Sequence, residues 1–400
     1  MVARNDDAQA VGVASQAAGR GVWRLGRFTE MDVARVVRRA TFVLPAVGVV
    51  VLAATWGSDP GVLAAFMLAA IHVALVMTAV GHAEAIAHRV GEPFGTLVLA
   101  VAVTVIEVSL IVTLMVVEGP KSATLARDTV FAAVMIVCNG VVGASILVNA
   151  RRNSVVRFSE QGANALLGTV MTCATLSLVM PTFTESSPVG TFTGSQLAFS
   201  AVSSAAVYGV FVVVQTVRHR WMFLSPDALE EEADDHFAKV TPHPAIDARA
   251  DGVMVRVLLL IVTLVGVVGL AKTLAPRIED AVVRVGAPPS FVGVVIAVMV
   301  LLPEFVAALR AAARGEMQTS LNLSLGSGLA SIGLTIPAIA IASIWLDGPV
   351  TLGLGAKEIV LLALTAVVGG LTFGSGRATI LQGAQHLAIC AAFIFLAIVP

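Results

Sequence analysis

Residues 98–117 read VLAVAVTVIEVSLIVTLMVV, twenty residues of which nineteen are uncharged. At about 1.5 Å per residue, a helix of that length crosses the roughly 30 Å hydrocarbon core of a bilayer. No water reaches the backbone there, so every N–H and C=O must bond within the segment, and only a helix or a closed barrel does that. Runs of this kind recur at 41–57, 61–81, 95–117, 129–149, 164–182, 194–217, 254–275, 290–310, 319–345, 350–371 and 379–399. Strands would alternate polar and apolar residues, and these runs do not. The fold class expected is an all-α polytopic membrane protein of about eleven transmembrane helices. Composition agrees: 57% of the 400 residues are hydrophobic and 13% charged.

The charges orient the spans. Arg20, Arg24, Arg27, Arg35, Arg38 and Arg39 precede the first run, which places residues 1–40 as a basic cytoplasmic tail. No short apolar segment with a small-residue cleavage site follows that basic start, so no cleaved signal peptide is expected. Counting onward, Arg89, then Arg151, Arg152 and Arg157, then Arg218 and Arg220, then Arg310 and Arg314, then Arg377 all fall on the same side. Such a bias marks the cytoplasmic face and leaves the C-terminus outside a cell inner membrane. Net charge is −1, which gives no basis for a nucleic-acid partner. The lipid bilayer is the partner expected. Cys138, Cys173 and Cys390 each lie inside an apolar run and read as small core residues.

The longest hydrophilic insertion, 218–252, contains PDALEEEADDHF with Asp227, Glu230, Glu231, Glu232, Asp234 and Asp235. This acidic linker lacks the spacing of an EF-hand loop. It separates residues 58–217 from 253–400, five spans each, with the helix at 41–57 left over. Five is odd, so two related halves must sit inverted in the membrane, a common plan of secondary transporters. The second span of each half carries one carboxylate, Glu107 and Glu304, 197 residues apart. In the next spans Asp128 falls opposite Glu316 and Asn139 opposite Ser327, both at an offset of 188.

A carboxylate at mid-membrane costs at least about 2.5–3.5 kcal/mol on insertion scales, so its presence points to use. Paired about a pseudo-two-fold axis, Glu107 and Glu304 form a candidate cation- and proton-binding site. Oxygen ligands suit hard cations, and Asn139, Ser327, Ser109, Asn322 and Ser324 are the candidate neutral ligands. Pro303 lacks an N–H and frees a carbonyl one turn before Glu304. Two such carboxylates cannot both carry charge cheaply, so cation and proton compete for the same oxygens. Competition for one site is the simplest route to antiport.

These residues resemble the calcium:cation antiporter superfamily and, within it, the bacterial ChaA-type calcium/proton antiporters. The resemblance rests on GEPFGTLVLAVAVTVIEVSLI, RDTVF…MIV…VVG, LLPEFVAAL…LNLSLGSGLASIGLTIP and FGSGR…GAQHLA, and covers roughly residues 60–400. It implies one extra first helix, two inverted five-helix halves with an acidic segment between them, and cation binding at Glu107 and Glu304. The activity implied is Ca²⁺ export in exchange for H⁺, with no cofactor. Relatives with a Gly-Asn-x-x-Glu motif have an Asn three residues before each glutamate, where this chain has Thr104 and Leu301. Fewer polar ligands keep Na⁺ or K⁺ exchange for protons open as the alternative.

Other polar residues have local readings. His82, Glu84 and His88 in GHAEAIAHR form an interfacial cluster and, with Asp128 and Glu316, are candidates for an access or proton path. They lack the H-E-x-x-H spacing of a zinc hydrolase, which leaves an intramembrane metallohydrolase a remote alternative. His72 and His386 read first as packing residues, and Lys357 and Glu358, near the outer end of the tenth span, read either as pairing with each other's neighbours or as lining an outer vestibule. The chain has no Walker A motif, and a secondary transporter is expected rather than an enzyme.

Overall fold

The computed structural model describes residues 41–58, 60–90, 94–225, 252–345 and 350–400. The basic tail 1–40 and the acidic residues Asp227, Glu230, Glu231, Glu232, Asp234 and Asp235 lie outside them, as does the side chain of His88. Eleven helices occupy the described residues: α1 Thr41–Thr55, α2 Val62–Val90, α3 Phe94–Glu118, α4 Leu125–Ala150, α5 Glu160–Phe183, α6 Gly194–Arg218, α7 Val253–Arg284, α8 Phe291–Arg314, α9 Met317–Ala342, α10 Ala356–Phe373 and α11 Ile380–Ile398. Nine of these are long and apolar enough throughout to cross a membrane, and α1 and residues Val101–Val116 of α3 are shorter apolar stretches. Large side chains such as Leu63, Phe66, Val202 and Leu371 stay more than two-thirds exposed. Lipid, not water, is the solvent such a surface requires.

Four boundaries differ from the hydropathy reading. α2 runs nine residues past 81, because AEAIAHRV continues the helix after it leaves the apolar layer. α7 continues through Pro276 to Arg284, and α9 is one uninterrupted helix from Met317 through Pro337 to Ala342, against 319–345. Hydropathy measures burial in lipid, whereas helix continuity depends on backbone bonding, which a membrane helix keeps around a proline. α10 begins at Ala356 rather than 350, since 350–355 spends its backbone elsewhere: Leu352 and Gly353 donate to the Gly190 carbonyl and Leu354 to that of Leu178.

The two groups of five helices interdigitate. α2 packs on α7, α3 on α9, α4 on α8, α6 on α9 and α4 on α11. Exchanging α2–α6 with α7–α11 maps this list onto itself. Thr193 and Gln196 form a capping box at the start of α6, and Thr379 with Gln382 repeats it at the start of α11. The loops repeat the relation too. Val156–Arg157 pairs antiparallel with Arg377–Ala378 at one face, while Thr191 bridges Thr351 at the other. α1 stands apart from this exchange and lies against α2 and α7, where Gly48 abuts Leu75 and Gly269 abuts Leu52 so closely that a Cβ on either glycine would overlap.

Candidate functional site

α3 and α8 each bring one glutamate into the interior. Glu107 is 3% exposed and is held from α9: the Ser331 Oγ lies 2.7 Å from both carboxylate oxygens, and Thr335 Oγ1 lies 3.1 Å from Oε2. Ser331 and Thr335 are four apart, one turn on one face of α9. A hydroxyl has one proton and two lone pairs, so Ser331 donates to a carboxylate and accepts from a carboxylic acid. The same pair of side chains therefore accommodates either protonation state of Glu107.

Glu304 is differently placed. Its Oε2 is buried and has no hydrogen-bond partner. Pro303 beside it leaves the Met299 carbonyl without its helical donor, although α8 continues unbroken. Glu304 lies within electrostatic reach of both Glu107 and Glu84, and Glu84 is exposed on α2. The Thr104 hydroxyl, three residues before Glu107, is also buried without a partner. The α9 hydroxyls thus hold Glu107, while Glu304 feels the charges of Glu107 and of Glu84 and has no hydroxyl on its Oε2. Buried oxygen without a partner is costly, and a proton or a cation would supply what Glu304 lacks.

The other sequence candidates are placed as follows. Asn139 is turned away from the carboxylates, donating to Thr365 Oγ1 at 2.9 Å while its Oδ1 meets His386 Nδ1 at 3.2 Å. It sits in a π-turn of α4, Ile136–Val141, that offsets it from its helical register. His386 Nε2 in turn meets Thr372 Oγ1 at 3.2 Å, so this buried network ties α4 to α10 and α11. Asn322 is also structural: it donates to the Phe223 carbonyl at 2.7 Å and accepts from Gln318. Ser324 bonds back to Ser320 and Leu321 in its own helix. Ser109 and Ser327 are half-buried on α3 and α9.

His82 is buried, with Nε2 3.0 Å from the Thr41 carbonyl and Nδ1 3.5 Å from Arg256, so it joins α2 to α1 and α7. Asp128 accepts from Thr124 and Arg127 and lines a separate cavity with Lys357 and Glu358. Glu316 is exposed, and two hydrogen bonds from the Arg314 guanidinium, both 2.9 Å, hold its carboxyl below the usual range. Neither acid reaches the central pair. Among the described residues no three His, Cys, Asp or Glu side chains converge tightly enough to enclose a metal ion.

Ser331 and Thr335 were missed by a reading that matched Asn139 to Ser327 and looked no further along the helix. A signal was present: hydroxyls at 320, 324, 327, 331 and 335 follow a spacing of three and four, one stripe on α9.

The chain matches the family described as sodium/calcium exchanger protein over residues 60–217 and again over 255–399. It is 41% identical over 363 residues to the putative ionic transporter y4hA of Sinorhizobium fredii, covering 90% of this chain and 96% of that one. Against the sodium-potassium/proton antiporter ChaA of Escherichia coli the identity is 33% over 362 residues, 89% and 95% of the two chains. The crystal structure of the H⁺/Ca²⁺ exchanger CAX superposes with a TM-score of 0.62 at 12% identity, covering 90% of this chain and 91% of that one.

Proposed function

The chain belongs to the sodium/calcium exchanger protein family, and on that premise we propose that it is a cation/proton antiporter in which Glu107 and Glu304 bind cation and protons in turn. The observation that carries this reading is the buried, partnerless Oε2 of Glu304 within reach of a second buried carboxylate. Among the described residues no Lys or Arg is hydrogen-bonded to either carboxylate, so occupancy by protons or a cation is what keeps the pair neutral. Swapping one load for the other while the two halves rock exposes the site to each side in turn.

Residues 41–57 are the extra helix, 58–217 and 253–400 the inverted repeats, and 218–252 a cytoplasmic linker. The two separate stretches matched to the family support that division. The Arg157–Arg377 face is cytoplasmic by its excess of basic residues, with the C-terminus outside an inner membrane. Glu84, near the end of α2, lies toward that face.

Two carboxylates match the charge of Ca²⁺, and Ca²⁺ export is the first reading of the cargo. A specific observation favours a second. Asn139 and Asn322, the two amides expected at the site, are committed elsewhere, Asn139 to Thr365 and His386 and Asn322 to Gln318 and the Phe223 carbonyl. Fewer oxygens weigh against Ca²⁺, which takes about six to eight, and Na⁺ and K⁺ are the ions named for the E. coli relative. Proteoliposomes enclosing a pH dye test both. Added Ca²⁺, Na⁺ or K⁺ should drive proton efflux through the wild type and not through Glu107→Gln or Glu304→Gln. Exchange retained by either variant sinks the assigned pair, and the ion that drives the wild type fixes the cargo.

A further inference from the structure

The repeat extends to a residue for which the central pair gives no role. α2 ends in Glu84-x₄-RVGEP, residues 84–93, and α7 ends in Glu279-x₄-RVGAP, residues 279–288. The two segments stand 195 residues apart, close to the 197 that separates Glu107 from Glu304. Exchanging the halves therefore carries Glu84 onto Glu279, α2 onto α7 and α8 onto α3. In this conformation Glu84 acts electrostatically on Glu304. The exchanged relation would bring Glu279 toward Glu107.

A groove lies where that approach would occur. Leu110 and Leu114 of α3, Leu274 and Ile278 of α7, and Ile296 and Met299 of α8 line it, and it is too narrow for more than about one water. Leu110 is the next turn after Glu107, and Met299 the turn before Glu304, so the groove starts beside the carboxylates and runs away from Glu84. Glu279 adjoins the lining residue Ile278 in the chain, is half-buried and stands outside the lining itself. The lining is wholly apolar, and a narrow apolar constriction excludes water and ions. Glu84 marks the cytoplasmic side, and the groove the opposite, closed one.

We propose that this groove is the closed outward path and that Glu279 is the carboxylate that draws cations into it when α7 shifts, as Glu84 does at the inward mouth. The proposal rests on the antiport reading, and two readouts keep their failures apart. The first needs no transport. In a background with the three native cysteines replaced by alanine, Leu114→Cys is exposed to a cationic and to an anionic methanethiosulfonate added to the outer face of intact cells. The cationic reagent should be favoured, and Glu279→Gln should lower the ratio of the two rates about six- to tenfold, because a unit charge roughly 6–8 Å away in water speeds one reagent and slows the other by about two- to threefold each. No labelling from outside, or a ratio unmoved by Glu279→Gln, overturns the proposal. The second readout uses right-side-out and everted vesicles with Na⁺ and Ca²⁺ in parallel. Glu279→Gln should raise the half-saturating concentration several-fold only for cation supplied at the outer face, and Glu84→Gln only at the inner. A change equal on both faces also overturns it, whereas labelling as expected in a protein that exchanges neither ion would sink the antiport reading alone.

Discussion

The Ser331 hydroxyl of α9 stands 2.7 Å from both carboxylate oxygens of Glu107 on α3. One proton cannot serve two oxygens at full strength, so the contact is poised between two states. The repeat-related positions on α4, offset by 188, are Gly143 and Leu147 opposite Ser331 and Thr335. They offer Glu304 no hydroxyl. The two halves match in backbone and differ in how each glutamate is held.

Replacing Ser331 tests that difference. Hydrogen bonds to a charged group contribute about 1.5–3 kcal/mol, so Ser331→Ala should weaken cation binding about tenfold or more. Ser331→Thr keeps the hydroxyl and should recover most of it. Half-saturating cation concentrations in proteoliposomes provide the check, and an unchanged value for Ser331→Ala would remove the serine from the site.

Asn139→Ala separates a ligand from a packing residue. It takes the Asn139 oxygen from His386 Nδ1 in the interior, at a cost of about 1–3 kcal/mol for an unsatisfied group, while Thr365 keeps its bond to the Leu361 carbonyl. Thermal stability in detergent should fall while the cation concentration for half-maximal exchange stays within about twofold, the change expected when no ligand is lost. A large loss of affinity with stability intact would restore Asn139 as a ligand.

Close approach of α8 to α4 depends on Gly293. A Cβ there would meet the Asp128 and Thr129 backbone at 2.8 Å, and backbone cannot turn aside. Gly293→Val should therefore cut the yield of monodisperse protein on size-exclusion chromatography. Gly326→Ala, with nothing within 4 Å of the added carbon, should be tolerated or slightly stabilising. Equal behaviour of the two variants would refute the contact.

Acid should reveal the Arg314–Glu316 pair. The Glu316 carboxyl is held low by the Arg314 hydrogen bonds. Its contribution is therefore present above the unfolded carboxyl pKa and lost as pH falls through the lower folded value. Both side chains are largely exposed, so the effect is small. Tm of wild type should slightly exceed that of Glu316→Gln at pH 7, and the two should converge near pH 3, below the ordinary Glu pKa of about 4.3. A difference persisting in acid would mean that Glu316 acts through packing.

Legibility varied with the physics involved. Eleven helices could be read because each apolar run must satisfy its own backbone in lipid, a constraint local to the segment. Helix ends were less legible where polar residues prolong a helix beyond the apolar layer, as at His82–Val90, or where backbone is drawn into a loop bridge, as at Thr351–Leu354. Glu107 and Glu304 stood out because a charge in an apolar run is costly wherever the helix packs. The neutral groups around them did not, since a serine or threonine fits a membrane helix by bonding to its own backbone, as Ser324 and Thr263 do.

The sequence by itself determined the number of helices, their inverted pairing and the two carboxylates, because hydropathy and charge act on each segment alone. Only the tertiary structure decided which side chains those carboxylates meet. It placed Ser331 and Thr335 against Glu107, left Glu304 Oε2 without a partner and turned Asn139 toward His386. A hydroxyl or amide can be satisfied in many directions, and a single π-turn redirects one. Which direction is used depends on how helices from both halves rotate against each other, and no segment carries that information alone.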